Sequence, residues 1–270
     1  MPEGPEVRTV ADSLKPHLTN RIITDFYLGD RANTKGFDHL KCPVKIINVR
    51  SYGKKIIFDL GSGHIMITSL KMEGRLQYDE GNHSHIRFDI SNLDMKYVFS
   101  LYFDDYRYMG GIDVIPNSEI SNYFAKIGVD LLQYALKEET WISLDDWINI
   151  YSRGTGKRKI YTVLLDPSLN STIGNYLCCV ILYYAGIRPD RVINTLSRDE
   201  WDNIRIFAHK IISFSYERGG CTHRSYINPS GEMGAYPCVV YNQTRDPYGN
   251  NVITTKITGR TAHWVPEIQI

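Results

Sequence analysis

Between about residue 20 and residue 116 the chain breaks into short runs rich in β-branched and aromatic residues, and after about residue 125 that texture stops. The runs are residues 21–27, 44–49, 55–60, 64–68, 86–90 and 97–103, separated by Gly, Asn, Asp and Ser. Short strands punctuated by turn residues predict an antiparallel β-sandwich. A helix is expected ahead of them, because Val7, Val10, Ala11 and Leu14 fall on one helical face. Beyond 125 the apolar period is helical. Gly154-Thr155-Gly156 marks a loop, and residues 175–185 read as a helix ended by Gly186 and Pro189. Ser197-Arg198-Asp199-Glu200 is a capping box opening a further helix, with Trp201, Ile204, Ala208, Ile211 and Ile212 on one face. Past 238 the pattern is strand (239–241), turn (246–249), strand (252–254). The expected fold is α+β. An N-terminal β-sandwich with its helix spans 1–125, a linker spans 126–150, and a helical domain spans 151–270 and ends in a hairpin from about 238.

Composition narrows the setting. With 270 residues and 43% hydrophobic content the chain can bury a sizeable core. No apolar run approaches the roughly 18 residues of a membrane span, and no basic stretch with an apolar core marks a signal peptide. Five cysteines stand at 42, 178, 179, 221 and 238 without C-x-x-C spacing, and an odd count suits a reducing, intracellular compartment. Cys178 and Cys179 lie in an apolar helical pattern and read as buried thiols. Net charge is only +1, but residues 1–149 carry 17 basic against 21 acidic side chains and residues 150–270 carry 14 against 9. The second half, with Arg153, Lys157, Arg158 and Lys159 clustered, permits phosphate binding or a solvated helix face equally.

The chemistry-bearing residues lie far apart. The chain opens Met1-Pro2-Glu3-Gly4-Pro5-Glu6-Val7. With Met1 removed, Pro2 presents a secondary amine, able to attack a sugar aldehyde carbon and form an iminium. Such α-amino groups titrate at about 7.7 to 8.0, and Glu3 stands ready to supply a proton. Proline is equally at home simply starting a helix. Gly174-Asn175 sits where a helix begins, so Asn175 either caps it or joins the helix N-terminus in holding an anion. Lys54 follows Tyr52-Gly53 at a strand start. Arg260 lies in the hairpin turn Thr258-Gly259-Arg260-Thr261, where it is either idle or aimed at a phosphate. Met72 sits in the turn Lys71-Met72-Glu73-Gly74.

Taken in order, these pieces resemble the formamidopyrimidine-DNA glycosylase and endonuclease VIII family of base-excision repair enzymes. Pro2-Glu3-Gly4-Pro5-Glu6-Val7 is similar to its N-terminal motif, and Ser51-Tyr52-Gly53-Lys54 to its strand lysine. The stretch from Leu165-Asp166 through Ile173-Gly174-Asn175-Tyr176 to Ala185-Gly186-Ile187-Arg188-Pro189 is similar to its helix–two-turn–helix. Gly259-Arg260-Thr261 with residues 264–269 is similar to its C-terminal hairpin. The resemblance implies Pro2 as nucleophile at the sugar C1′, Glu3 as general acid and base, Lys54 as a phosphate contact, and Arg260 with Asn175 as grips on the flanking phosphates. Glu6 supports the active site. The family extrudes the damaged base; Met72, with Arg107 and Met109 from Asp105-Tyr106-Arg107-Tyr108-Met109-Gly110, would fill the hole, Arg107 reaching the widowed base. The loop from Glu217 to Tyr236 would cover the extruded one. The implied partner is damaged double-stranded DNA, bound by a monomer. The implied reaction is base removal followed by β,δ-elimination, with formamidopyrimidines, hydantoins and oxidised pyrimidines as substrates and 8-oxoguanine left open.

The chain departs from the family pattern in three places. Met109 replaces a phenylalanine. Cys238 is the only cysteine beyond 221, so four zinc ligands are not available; the resemblance is to the zincless branch, with no metal or cofactor. Ser69 and Val180 replace a frequent histidine and glutamate. Two other readings exist: a DNA-binding member without catalysis, and an unrelated sandwich serving protein interaction. The joint presence of Pro2, Glu3, Lys54, Asn175 and Arg260 argues against the first, and the second leaves the ordered motifs unexplained.

Overall fold

A computed structural model describes residues 2–137, 141–153, 156–222, 227–229 and 231–270. In chain order it holds α1 (Gly4–Leu18), β1 (Ile22–Leu28), β2 (Thr34–Lys35), β3 (Val44–Tyr52), β4 (Lys55–Leu60), β5 (His64–Ser69), β6 (Arg75–Gln77), β7 (Ser84–Ser91), β8 (Tyr97–Asp104) and β9 (Gly111–Pro116). There follow α2 (Ile120–Phe124), α3 (Leu131–Ala135), α4 (Leu144–Tyr151), α5 (Ile160–Leu164), α6 (Asn175–Ala185), α7 (Arg198–Glu217), β10 (Ile253–Ile257) and β11 (Arg260–Trp264). The chain divides into two compact units, one of Met1–Lys126 with His223–Gly234, the other of Ile127–Thr222 with Ala235–Ile270.

In the first unit, nine strands run in the order β2-β9-β5-β4-β3-β1-β7-β8-β6. All neighbours are antiparallel except the short β2–β9 pair. The sheet nearly divides at β1–β3, where only Ile22 and Ile23 pair with Lys45 and Val44 before a bulge between Ile46 and Asn48. A bulge bends a strand and increases its twist. Both halves thereby feed one core, in which Ile46, Phe58 and Met66 meet Ile86, Phe88 and Phe103 beneath Val7, Val10, Leu14 and Leu18 of α1. Three strands escaped the sequence reading: β2 and β6 are too short to show a period, and β9 begins beside the Gly110-Gly111 punctuation.

The second unit packs its helices around α6, whose residues 176–183 are all buried. Gly186 ends α6 at φ 72°, with the Gly186 and Ile187 amides donating to Tyr183 and Leu182 carbonyls at 3.1 and 3.0 Å. That is a Schellman stop, which glycine adopts at no steric cost. The expected capping box of α7 is present: Ser197 Oγ accepts the Glu200 amide at 3.1 Å and Glu200 accepts the Ser197 amide at 2.7 Å.

The stretch set apart as a linker is not a spacer. Its Leu131, Leu132 and Trp147 lie in the second core. Asp130 ties its start down: the carboxylate caps α3 at Leu132 and accepts the Thr172 hydroxyl at 2.9 Å. Residues 239–241, expected as a strand, form a bend and turn, and the terminal hairpin is β10–β11. Cys178 and Cys179 are buried and outside any disulfide, whereas Cys221 and Cys238 are joined in one. Among the described residues no helix is long and apolar enough to cross a membrane. Gly154 and Thr155 of the expected loop lie outside the described residues.

Candidate active site

In the first unit, Pro2 stands one residue ahead of Glu3, the N-cap of α1, and is buried. Glu3 and Glu6 are each 1% exposed. Glu6 Oε2 accepts the Glu3 amide at 2.8 Å. Two carboxylates therefore stand at the positive end of a helix dipole, where negative charge is favoured. Glu6 thereby holds the backbone next to Pro2. Lys54 occupies the two-residue turn of the β3–β4 hairpin, closed by the Tyr52–Lys55 pair. Gly53 takes its first position at φ 53°, the left-handed backbone such a hairpin requires. Lys55, next in sequence, has its ammonium pushed below the usual lysine range by burial and by Lys71, with Asp113 pulling the other way.

Two loops carry the expected wedge residues. Met72 is half-buried in the turn after Lys71, which takes φ 53°. Gly74 closes that turn by donating to the Leu70 carbonyl at 2.9 Å. Between β8 and β9, Arg107 is exposed and Met109 is 46% exposed. Among the described residues the Arg107 guanidinium has no hydrogen-bond or ion-pair partner in the protein. Of the loop expected to cover an extruded base, residues 223–226 and 230 lie outside the described residues.

In the second unit, Asn175 is the first residue of α6, and its side chain does not cap that helix. Its amide donates to the Thr261 carbonyl at 3.1 Å, and its Oδ1 accepts the Tyr161 hydroxyl. Arg260 neighbours Thr261 at the start of β11 and is exposed. Burial pushes the Tyr161 phenol up, and the Arg260 charge works against that rise. Asn175, Tyr161 and Arg260 thus form one cluster linking the α5–α6 turn to the hairpin. Thr162 and Thr258 hydroxyls, 3.2 Å apart, add a second link. The turn itself is held from within: Asn170 donates to the Leu164 carbonyl and accepts the Ile173 amide, both at 2.8 Å. Sequence reasoning missed Tyr161 and Asn170; Asp166-Pro167-Ser168 did signal a turn.

Among the described residues no group of three or more His, Cys, Asp or Glu side chains is placed to hold a metal. Where zinc pins the hairpin in many members of the resembled family, Asp246 gathers the chain. Its carboxylate accepts the Tyr248 and Asn250 amides at 2.9 and 2.8 Å, Asn250 Nδ2 at 2.9 Å and the Tyr183 hydroxyl at 3.0 Å. Desolvation opposes its charge, but the bonds from Asn250, Tyr183 and Tyr248 hold it below the usual carboxylate range.

The chain is similar to known proteins along its whole length. Residues 1–112 match the formamidopyrimidine-DNA glycosylase N-terminal domain model and residues 234–270 the corresponding C-terminal domain model. A formamidopyrimidine-DNA glycosylase of Exiguobacterium is 30% identical over 100% of this chain and 99% of its own. One from Oceanobacillus iheyensis is 29% identical over 100% and 98%. The MutM (Fpg) protein of Thermus thermophilus superposes with a TM-score of 0.85 at 22% identity, covering 99% of this chain and 98% of that one. Lactococcus lactis FPG superposes at 0.83, both as a mutant with Fapy-dG containing DNA, at 24% identity, and as wild type with oxidised-pyrimidine containing DNA, at 23%; each covers 99% of both chains. The chain belongs to the formamidopyrimidine-DNA glycosylase family of DNA-repair glycosylases.

Proposed function

We propose that this glycosylase is also an abasic-site lyase that works through a covalent Pro2 intermediate. The observation that carries the reading is the N-terminal constellation, with Pro2 next to Glu3, the N-cap of α1, and Glu3 held by Glu6. With Met1 removed, the Pro2 nitrogen attacks C1′ and the damaged base leaves with the bonding electrons. Glu3 moves protons at the sugar ring oxygen as the ring opens. The resulting iminium acidifies C2′; loss of that proton breaks the bond to the 3′ phosphate, and a second elimination breaks the 5′ side. Lys54, Asn175 and Arg260 bind backbone phosphates, while Met72, Arg107 and Met109 occupy the space left by the extruded nucleotide. Apolar side chains, methionine included, insert between base steps in this way.

Formamidopyrimidines, hydantoins and oxidised pyrimidines are the proposed substrates. The first and last fit the lesion-bearing DNA bound to the Lactococcus relative. Borohydride reduction in the presence of such a duplex should trap a protein–DNA adduct. Pro2→Gly should abolish it, and intact mass should show Met1 absent. A processed chain that yields no adduct overturns the reading.

A further inference from the structure

We propose that Asp105 is the positioning residue that sets how Arg107 and Met109 meet DNA, and hence how the enzyme discriminates the base opposite the lesion. The inference rests on the function proposed above. Asp105 is 0% exposed. Its Oδ1 accepts the Arg107 amide at 3.0 Å; its Oδ2 accepts the Met109 amide at 2.9 Å and the Gly110 amide at 2.7 Å. No cation pairs with it among the described residues. A carboxylate buried without a cation is tolerated only when hydrogen bonds neutralise it, and here all of them come from the loop it supports. Three amides on two oxygens require an acceptor-only group. Tyr108 is fixed separately: it takes φ 52°, with its ring against His85 and the Arg31 guanidinium 5.1 Å over it. The backbone from 105 to 110 is thus determined, while Tyr106, Arg107 and Met109 are left exposed. Such a loop offers side chains to a partner without needing to be ordered by it.

Asp105→Asn preserves shape but puts an NH2 group where one acceptor stood. In duplex DNA, where there is an opposite base to meet, kcat/KM for lesion processing should fall by about tenfold or more. The spread of rates over the four opposing bases should narrow. Cleavage of a single-stranded abasic oligonucleotide, which has no opposite base, should stay within about twofold of wild type. Hydrogen exchange should rise at the amides of 107, 109 and 110 and nowhere else. Equal losses on both substrates, or unchanged discrimination in duplex, overturn the proposal. A wild-type chain that processes no lesion duplex overturns it together with the function on which it rests; an active wild type with an indifferent Asp105→Asn overturns it alone.

Discussion

Two turns in this protein are built on the same device, and they differ in what the device is attached to. Asp105 and Asp246 each lie almost wholly buried and each accept backbone amides two and four residues ahead. Asp105 spends every acceptor on its own loop. Asp246 also takes the hydroxyl of Tyr183, a residue of α6. The first turn is self-contained and projects Arg107 and Met109; the second is tied to the central helix of its unit. One aspartate presents a loop, and the other anchors the turn that leads into the β10–β11 hairpin. In the second turn the anchoring falls to a carboxylate and a tyrosine.

The comparison breaks most severely at Gly110. A methyl group there would stand 2.6 Å from Phe103 Cζ and 2.8 Å from the Ser69 carbonyl oxygen. Neither can withdraw, since Phe103 is a core residue and the other is backbone. Gly110→Ala should destabilise the first unit by about 1–3 kcal/mol, read by chemical denaturation, and should blunt opposite-base discrimination as Asp105→Asn does. Asp246→Asn should have the complementary phenotype, with a lower melting temperature and unaltered discrimination. It should also change the response to acid. A carboxylate whose folded pKa is depressed stabilises above its unfolded value, about 3.9, and that stability is lost as pH falls through the folded value. Melting temperature should therefore drop with acidification below about pH 4 in the wild type, and less steeply in Asp246→Asn; identical slopes would remove Asp246 from the account. The smallest effect is expected at Gly249, where nothing lies within 4 Å of an added methyl group and φ is 89°. Gly249→Ala meets only backbone strain, about 1–2 kcal/mol.

The switch from β texture to helical period was legible because periodicity reports burial, and burial follows the local chain. So were the ends of α6 and α7, where Gly186 and the Ser197–Glu200 box act within a few residues. Asp130, Tyr161 and Asp246 were not legible. Their partners Thr172, Asn175 and Tyr183 are distant in sequence, and nothing in the composition around an aspartate says which hydroxyl will reach it. The strand reading of residues 239–241 failed for a related reason: three apolar residues fit a strand or a buried bend, and the core under Val240 chose the bend.

The disulfide has a consequence of its own. The second unit is left at Thr222 and rejoined at Ala235. Cys221 and Cys238 tie those two points together, and Cys221 and Tyr236 also form a bridge. Exit and return are thus fastened to each other whatever the intervening residues do. The segment 223–234 is therefore bounded at both ends by a covalent and hydrogen-bonded clasp that belongs to the second unit.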